Sequence, residues 1–557
     1  MPSQNSDIPR TQLEIVLAYH ERTKHHPVRY ALSPGYLDWQ TQPDPFRRYD
    51  GSELVPLDEI PPSDEPDALN ILRPGENPLR TVDRTSISQL FYDSLALSAW
   101  KELGAARWSL RVNPSSGNLH PTEGYLLAAP VAGLWETPTL SHYSPFHHGL
   151  EIRSHFPQGD WEDLTSGLPD GVLLVGLTSI HWRESWKYGE RAFRYCHHDV
   201  GHAMAALALS ASLLGWQTRC LDGCSDPQLA TLLGVADQEG PEMEHPDCLL
   251  ALFPAGEPPL PEGRRVLRPA PEFMKRLAGL PMVGSPNRLS PQHRPWPVIN
   301  EVAAATLRSD TGPEFSLPSS AQDTLSFAPS AMPGVAARKL VRQRRSAVAM
   351  DGMTSLESES FFGMMARVLP HPDHAPFSAL PWRPGIHLLL FVHRVDCLEP
   401  GLYCLARHGT ARDELRAAMH SGFRWTKPTG CPEGLPLYLL QPGDCRAEAR
   451  EVSCGQDIAA DGVFALAMIA EFEPSLRREG AWFYKRLHWE AGALGQVLYL
   501  EAEAAGMRAT GIGCFFDDEL HRIFGLAGNR YQDLYHFTVG GPVHDDRLRD
   551  LPAYAHR

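Results

Sequence analysis

The chain has 557 residues, 43% of them hydrophobic, which is enough for two or more globular domains with real cores. A formal net charge of −16 argues against nucleic acid as a partner, because neutralising phosphate needs a basic face. The N-terminus shows neither the basic start nor the apolar run of a signal peptide, and the ten cysteines form no CxxC pair. We therefore expect a cytoplasmic protein with reduced thiols and without a membrane partner.

Residues 1–83 are predicted to form an N-terminal arm and connector. Residues 1–50 are rich in His, Arg, Tyr and Pro, and this aromatic density argues against disorder. The arm either lies over a domain surface or gates a substrate site. The acidic, Pro-rich stretch from Pro56 to Pro66 has no periodicity and predicts a loop.

Residues 84–256 are predicted to form a first domain. Apolar residues predict a helix near Ile87–Leu95 and two buried strands, Tyr125–Ala129 and Val172–Leu177. The first strand is preceded by a cluster typical of a turn: Pro114, Ser115, Ser116, Gly117 and Asn118. These residues also offer small donors that can approach a ligand closely.

Residues 257–335 are predicted to be a Pro-rich connector, and residues 336–557 a second domain. The connector contains two predicted helices, Glu272–Leu280 and Val298–Leu307. The second domain has a predicted helix and two predicted strands: Leu356–Leu369, Ile386–His393 and Val463–Ala470. Strands separated by helices in both domains predict an α+β fold, with a sheet covered by helices.

The stretch from His488 to Gly525 repeats the stretch from His197 to Gly234 without a gap, at an offset of 291 residues. The offset sets Gly201 on Gly492 and Asp226 on Asp517, and it aligns Asp199 with Glu490. A period this long indicates two copies of a whole domain rather than a solenoid. The chain is therefore predicted to be a tandem duplication.

Each copy contains a predicted central helix. From His488 to Gly506 apolar residues recur three and four apart, and the glycine stands where the helix would end. In the first copy, the run from Val200 to Trp216 is apolar nearly all round, which predicts a buried helix. This run of about 17 residues is shorter than the roughly 20 needed to cross a bilayer. We expect the two helices to face each other across an internal interface.

His198 and His202 stand four residues apart with an acid between them, a spacing superficially similar to that of zinc hydrolases. The second copy has Trp489 and Ala493 at the matching positions. We therefore interpret the two histidines as buried and hydrogen-bonded and predict no metal site. Zinc hydrolysis stays an alternative function.

Two motifs of the second domain suggest ligand contacts. Arg344, Arg345 and Ser346 bring two guanidinium groups and a hydroxyl together, which matches phosphate, although basic runs are also common on solvated surfaces. Gly511, Ile512 and Gly513 follow the repeated helix, and the two glycines would let backbone N–H groups approach a flat ligand.

Together these residues resemble the FMN-dependent nitroreductase superfamily, specifically its SagB/ThcOx branch of dehydrogenases. The resemblance also rests on Lys187 to Arg191, on Gly201 with His202 and on the loop from Gly511 to Asp517. It covers both domains but neither the arm nor the connector. In that family two α+β protomers form an intimate dimer with FMN in clefts at the interface. The resemblance implies that this chain forms such a dimer within itself, as an intrachain pseudo-dimer, and leaves the oligomeric state open.

The resemblance implies one composite FMN site. Its cofactor-binding residues are Arg344, Arg345, Ser346, Gly511, Ile512 and Gly513 from the second domain, and Pro114, Ser115, Ser116, Gly117 and Asn118 from the first. Each domain lacks the motifs that the other retains, so the opposite cleft would have none of them. The chain departs from the family at Val348, where an arginine is usual.

The resemblance implies an FMN-dependent oxidoreductase that transfers hydride between flavin and a small-molecule or peptide-heterocycle substrate, with NAD(P)H as a candidate electron donor. Lys187 and Tyr188 match the Lys-Tyr pair that this branch uses for acid/base work. A surface lysine beside a packed tyrosine is the alternative interpretation. The alternative function is a non-catalytic flavin-binding or docking subunit of a biosynthetic complex.

Overall fold

The computed structural model describes residues 10–255, 267, 269–309 and 335–555. Within them, the α-helices are α1 (Gln12–Arg22), α2 (Arg84–Tyr92), α3 (Gln158–Thr165), α4 (His181–Tyr188), α5 (Ala192–Leu213), α6 (Asp226–Leu232), α7 (Pro271–Ala278), α8 (Pro297–Ala305), α9 (Ala337–Gln343), α10 (Ser358–Arg367), α11 (Ala411–Ala418), α12 (Arg446–Val452), α13 (Asp457–Asp461), α14 (Glu473–Glu479), α15 (Phe483–Ala504) and α16 (Asp517–Phe524).

The strands of the same residues are β1 (Tyr49–Asp50), β2 (Leu54–Pro56), β3 (Leu97–Leu103), β4 (Ala106–Arg111), β5 (Thr122–Ala128), β6 (Thr139–Ser144), β7 (Gly149–His155), β8 (Leu173–Ser179), β9 (Trp216–Cys220), β10 (His245–Pro254), β11 (Ser285–Pro286), β12 (Ile386–Val392), β13 (Gly401–Leu405), β14 (Leu437–Pro442), β15 (Phe464–Glu471), β16 (Arg508–Ile512), β17 (Tyr531–Gly540) and β18 (Arg549–Leu551). The predicted α+β class is confirmed.

Two large antiparallel sheets organise the chain. The first has seven strands in the order β2-β7-β6-β5-β8-β10-β9, and the second has six in the order β14-β13-β12-β15-β17-β16. The run β5-β8-β10-β9 of the first sheet has the same arrangement as β12-β15-β17-β16 of the second. This repeated order confirms the tandem duplication. Below, residues 10–309 are called the first half and residues 335–555 the second half.

The two halves meet where α5 crosses α15. A side chain at Gly201 would overlap the carbonyl oxygen of Trp489, and one at Gly492 would overlap the carbonyl oxygen of His198. The two glycines are related by the 291-residue offset, as are the two residues that they contact. Each helix therefore needs a glycine at the crossing, because only a residue without Cβ allows the backbones this close.

Ion pairs between the halves repeat the same symmetry. Arg194 of α5 donates to Asp517 at 2.8 Å, and Lys485 of α15 donates to Asp226 at 2.8 Å. Both carboxylates stand at the first residue of a short helix, α16 and α6, where the helix dipole favours negative charge. The halves thus form the expected intrachain pseudo-dimer.

The central helices begin earlier than the sequence pattern indicates. Helix α5 starts at Ala192 rather than Val200, and α15 starts at Phe483 rather than His488. The added turn of α5 contains Arg194, which is fully buried. The apolar pattern missed this turn because its charge is compensated by a carboxylate of the other half. Among the described helices, none combines the length and apolar character needed to cross a membrane.

The described parts of the arm and the connector contain helices and short strands. Helix α1 buries Tyr19 and His20 against the protein, and the hydroxyl of Tyr484 lies 3.3 Å from the His20 Nδ1. The prediction of a loop over Pro56–Pro66 is wrong for its first residue, because Pro56 is the last residue of β2 and pairs with Gly149 of β7. The predicted connector helices appear as α7 and α8, while residues 256–266, 268 and 310–334 lie outside the described residues.

Candidate functional site

A cavity of about 1200 Å³ lies between the two halves. All of the candidate residues line it: Pro114, Ser115, Ser116, Gly117, Asn118, Lys187, Tyr188, Arg344, Arg345, Ser346, Gly511, Ile512 and Gly513. The arm also contributes to the wall through His25, Tyr30, Ala31 and Ser33. The arm therefore both covers the protein surface and borders the cavity, so the two predicted roles are compatible.

The loop from Pro114 to Asn118 is held by a carboxylate of α5. The backbone N–H and the hydroxyl of Ser116 both donate to Asp199 Oδ1 at 3.0 Å. Gly117 and Asn118 have φ angles of 57° and 61°, and the Asn118 amide donates to the Ser109 carbonyl at 2.7 Å. Burial raises the pKa of Asp199 to about 7, so this carboxyl titrates near neutral pH.

The Arg-Arg-Ser motif of the second half docks on the first half. Arg344 Nε donates to the Val112 carbonyl at 3.2 Å, and its guanidinium lies 4.9 Å from the centre of the Tyr499 ring. Arg345 donates to the Ser98 carbonyl at 3.3 Å. Arg344 is buried, so for this residue the solvated-surface interpretation is wrong.

Three arginines of this wall form no ion pair. Among the described residues, no carboxylate lies within ion-pair distance of the guanidinium groups of Arg111, Arg344 or Arg345, although four carboxylates also line the cavity: Asp199, Asp545, Asp546 and Asp550. Burial and the neighbouring Arg344 lower the pKa of Arg345 to about 10, and the Arg345 Nε is buried without a hydrogen-bond partner. Such a cluster favours an anionic ligand.

Gly511 and Gly513 were predicted to let backbone N–H groups approach a ligand, but in the structure they make room for tyrosine side chains. Side-chain atoms at Gly511 would overlap the hydroxyl of Tyr535, and at Gly513 they would overlap the ring of Tyr195. The Gly511 N–H donates to the Tyr499 hydroxyl at 3.0 Å. The prediction that this N–H is exposed to a ligand is therefore wrong, and both glycines make room for tyrosines of the cavity wall.

Lys187 and Tyr188 end helix α4 and lie against the loop of the first half. A Cβ at Gly117 would lie 3.0 Å from the Lys187 Nζ and would overlap the Tyr188 hydroxyl. The Lys187 Nζ lies 5.2 Å from the centre of the Tyr188 ring. Burial, followed by the carboxyl of Glu184, raises the pKa of Tyr188, so the phenol keeps its proton at neutral pH.

The two histidines of the zinc-like pattern pack against Tyr535. His202 Nε2 lies 3.2 Å from the Tyr535 hydroxyl, so this histidine is hydrogen-bonded as predicted. The His198 ring stacks on Tyr535 at a centroid distance of 4.3 Å, and its two nitrogens have no hydrogen-bond partner among the described residues. The prediction of a hydrogen bond is wrong for His198.

Several residues of the cavity were not predicted from the sequence. Arg111, His120, Tyr499 and Arg508 line it, and both ring nitrogens of His120 are buried without a partner in the described structure. Arg111 ends β4 three residues before the Pro-Ser-Ser loop, so its position beside that loop was the signal that could have identified it. Tyr499 has no such signal, because it lies on the apolar helix α15.

The cleft related to this cavity by the 291-residue offset lies beside Cys220 and Leu221, which correspond to Gly511 and Ile512. Its volume is about 30 Å³, close to the space of one water molecule. The two pseudo-symmetric clefts are therefore very unequal.

Ion pairs fill this second cleft. Asp222 accepts from Arg308 at 2.9 Å and from Arg486, while Lys485 pairs with Asp226. Arg486 and Lys485 come from α15 and Arg308 follows α8, so three cations and two carboxylates occupy the space. Each of these three cations pairs with a carboxylate, unlike Arg344 and Arg345 of the large cavity.

Comparisons with known proteins support the architecture. Residues 411–541 match the family model described as Nitroreductase family. A nitroreductase-named protein from Methanocaldococcus jannaschii is 25% identical over 130 residues, which cover 22% of this chain and 64% of that protein. A crystal structure of a nitroreductase-named protein from Anabaena variabilis covers 95% of this chain and 99% of its own, with a TM-score of 0.66 and 21% identity. This last likeness concerns the fold and spans both halves.

Proposed function

Since the chain is a tandem protein of the nitroreductase superfamily, we propose that it is an FMN-dependent oxidoreductase of the SagB/ThcOx type. It would transfer hydride between the flavin and a small-molecule or peptide-heterocycle substrate. One observation carries the proposal: thirteen residues named from motifs in four separate stretches of the chain line one cavity.

The chemistry of the wall fits the cofactor. Guanidinium groups bind phosphate through paired N–H donors, and Arg345 offers a buried Nε that has no partner in the described structure. Ser346 adds a hydroxyl, which lies 2.9 Å from the Tyr499 hydroxyl. Arg344, Arg345 and Ser346 would hold the phosphate, and the loop from Pro114 to Asn118 would border the rest of the molecule.

When bound, FMN supplies the hydride chemistry, and the chain supplies position and protons. Tyr188 keeps the proton on its hydroxyl at neutral pH, so it can donate a hydrogen bond to a substrate atom. Lys187 sets a positive charge beside that hydroxyl, which favours negative charge on the group that Tyr188 contacts. The buried tyrosines at 195 and 535 form part of the wall.

The cavity also has room and a suitable mouth for a substrate. Its volume of about 1200 Å³ exceeds the upper end of the roughly 300 to 1,000 Å³ typical of a small-ligand pocket. Tyr30, Val348 and Val543 line it and are exposed by 52%, 73% and 46%. An apolar rim of this kind favours an aromatic or heterocyclic substrate.

The proposal is tested by the cofactor of the purified protein. We expect a yellow protein that releases FMN on denaturation and carries no stoichiometric zinc. Riboflavin, which lacks the phosphate, is the matched control and should bind at least about tenfold more weakly than FMN. A protein that cannot be loaded with FMN would refute the proposal.

Turnover separates an enzyme from a docking subunit. The flavin of the loaded protein should lose its visible absorbance when NAD(P)H is added without oxygen. Nitro compounds, quinones and peptides with thiazoline or oxazoline rings can then be compared as substrates. A flavin that neither NAD(P)H nor any of these compounds reduces or reoxidises would favour the non-catalytic alternative.

A further inference from the structure

Two cysteines stand together at the wall of the cavity. Cys514 lies two residues after β16 and lines the cavity, and Cys454 lies in the turn between α12 and α13. Their Sγ atoms are 2.8 Å apart, although 60 residues separate them in the chain. Both are only partly buried. Cys514 is therefore accessible from the cavity, and neither thiol is fully shielded.

The backbone holds the two thiols in place. The Phe516 N–H donates to the Val452 carbonyl at 2.8 Å, and the Gln456 amide donates to the Cys514 carbonyl at 3.0 Å. A disulfide bond is about 2.05 Å long, so the sulfurs need to approach by less than about 1 Å. The pair can thus open and close without rearrangement of the sheet.

The surroundings favour a reactive thiol at Cys514. The hydrogen bond shared with Cys454 lowers the pKa of Cys514, burial opposes this effect, and the nearby Arg191 guanidinium adds to it. The Arg191 Nε donates to the Gly513 carbonyl at 3.3 Å, which fixes this cation next to Cys514. A thiolate beside a cation is the form that attacks disulfides and gives up electrons.

We propose that Cys454 and Cys514 form a redox-active dithiol pair that passes two electrons to the bound flavin, an inference that rests on the proposed function. The two S–H bonds break and one S–S bond forms, while two electrons and two protons pass to the oxidised isoalloxazine. An external small-molecule or protein dithiol then reduces the disulfide by thiol–disulfide exchange and becomes a disulfide itself. The chain would in this way accept electrons from thiols as well as from NAD(P)H.

The first test needs no flavin. The flavin-free protein is oxidised mildly and then reduced with dithiothreitol, and its free thiols are counted after each step. The wild type should lose and regain two thiols more than either Cys454→Ser or Cys514→Ser, and peptide mapping should find the 454–514 disulfide. Cys397→Ser is the matched control, because Cys397 is exposed and lies outside the cavity. Two thiols that stay reduced throughout would overturn the proposal.

The second test uses the FMN-loaded protein without oxygen. Dithiothreitol should bleach the flavin of the wild type and of Cys397→Ser at similar rates. It should bleach the flavin of Cys454→Ser and of Cys514→Ser at least about tenfold more slowly. NAD(P)H should bleach all four alike. Equal rates with the dithiol in all four proteins would overturn the pair's role while leaving the flavin enzyme intact. If no variant binds FMN, the proposed function itself fails, and the electron transfer to flavin fails with it.

Discussion

Arg345 offers the sharpest test of the phosphate end of the cavity. Its guanidinium lies in the wall without a carboxylate partner in the described structure, and its Nε has no hydrogen-bond partner. A hydrogen bond to a charged group contributes about 1.5 to 3 kcal/mol, so Arg345→Met should raise the Kd for FMN by about 13- to 160-fold. Riboflavin binding should change much less.

The same substitution should leave the flavin-free protein folded. Methionine keeps the apolar part of the side chain. The carbonyls of Ser98, Arg342 and Arg344 lose a hydrogen-bond donor, and water entering from the cavity beside Arg345 can replace it. We expect a melting temperature within about 3 °C of the wild type. Titration of FMN by fluorescence measures the Kd, and differential scanning calorimetry measures the melting temperature.

Two controls make the outcome decisive. Arg477→Met removes an exposed arginine that pairs with Glu473, far from the cavity lining, and should change neither quantity. Arg345→Lys keeps the charge but loses the planar pair of donors, so its Kd should lie between those of wild type and Arg345→Met. An FMN Kd within twofold of wild type in both Arg345 variants would contradict the assignment.

Three further predictions concern the helix crossing and the cavity. Gly492→Ala should lower the free energy of unfolding by about 1 to 3 kcal/mol through overpacking against the other half, whereas Gly363→Ala, in α10 with open space around it, should not lower it. Chemical denaturation of both variants measures this. The pKa of Asp199 in the folded protein, about 7, lies above its ordinary value, so the stability that its protonated form contributes is present below about pH 4 and is lost as the pH rises through 7. Between pH 5 and 8 the melting temperature of the wild type should therefore fall relative to that of Asp199→Asn. Parallel curves for the two proteins would contradict this. Lys187→Met should reduce kcat with a nitro or heterocyclic substrate by about 100-fold while the Kd for FMN stays within twofold, because we propose Lys187 for proton transfer and not for the phosphate. Steady-state kinetics and FMN titration separate the two effects.

The duplication could be predicted because the helix crossing constrains the sequence strongly. Gly201 and Gly492 must both lack a side chain, and Asp226 and Asp517 must both pair with a cation of the other half. These residues are therefore retained in both copies, and the 291-residue repeat can be recognised in the sequence. The motif residues could also be identified from the sequence. Few other residue types form a tight turn as the cluster at 114–118 does, or match phosphate as the two arginines at 344 and 345 do.

Other features depend on contacts between distant residues and left no local pattern. The first turn of α5 contains the charged residue Arg194, and its burial can be explained only by its ion pair with the distant Asp517. Gly511 and Gly513 suggested an exposed backbone, but the tyrosines that fill the space come from other elements. The ion pairs that fill the second cleft include Arg308, which follows α8. Arg308 has no counterpart in the 291-residue repeat, so the repeat could not predict its position. The boundaries of the four predicted segments remain predictions.

The stoichiometry of flavin tests the central claim most directly. The large cavity of about 1200 Å³ has unpaired arginines, whereas its pseudo-symmetric counterpart of about 30 Å³ is filled by ion pairs. Absorbance of FMN extracted from protein quantified by amino-acid analysis gives the ratio per chain. One FMN per chain is the predicted result, and two per chain, or none after reconstitution, would contradict a single site built from both halves.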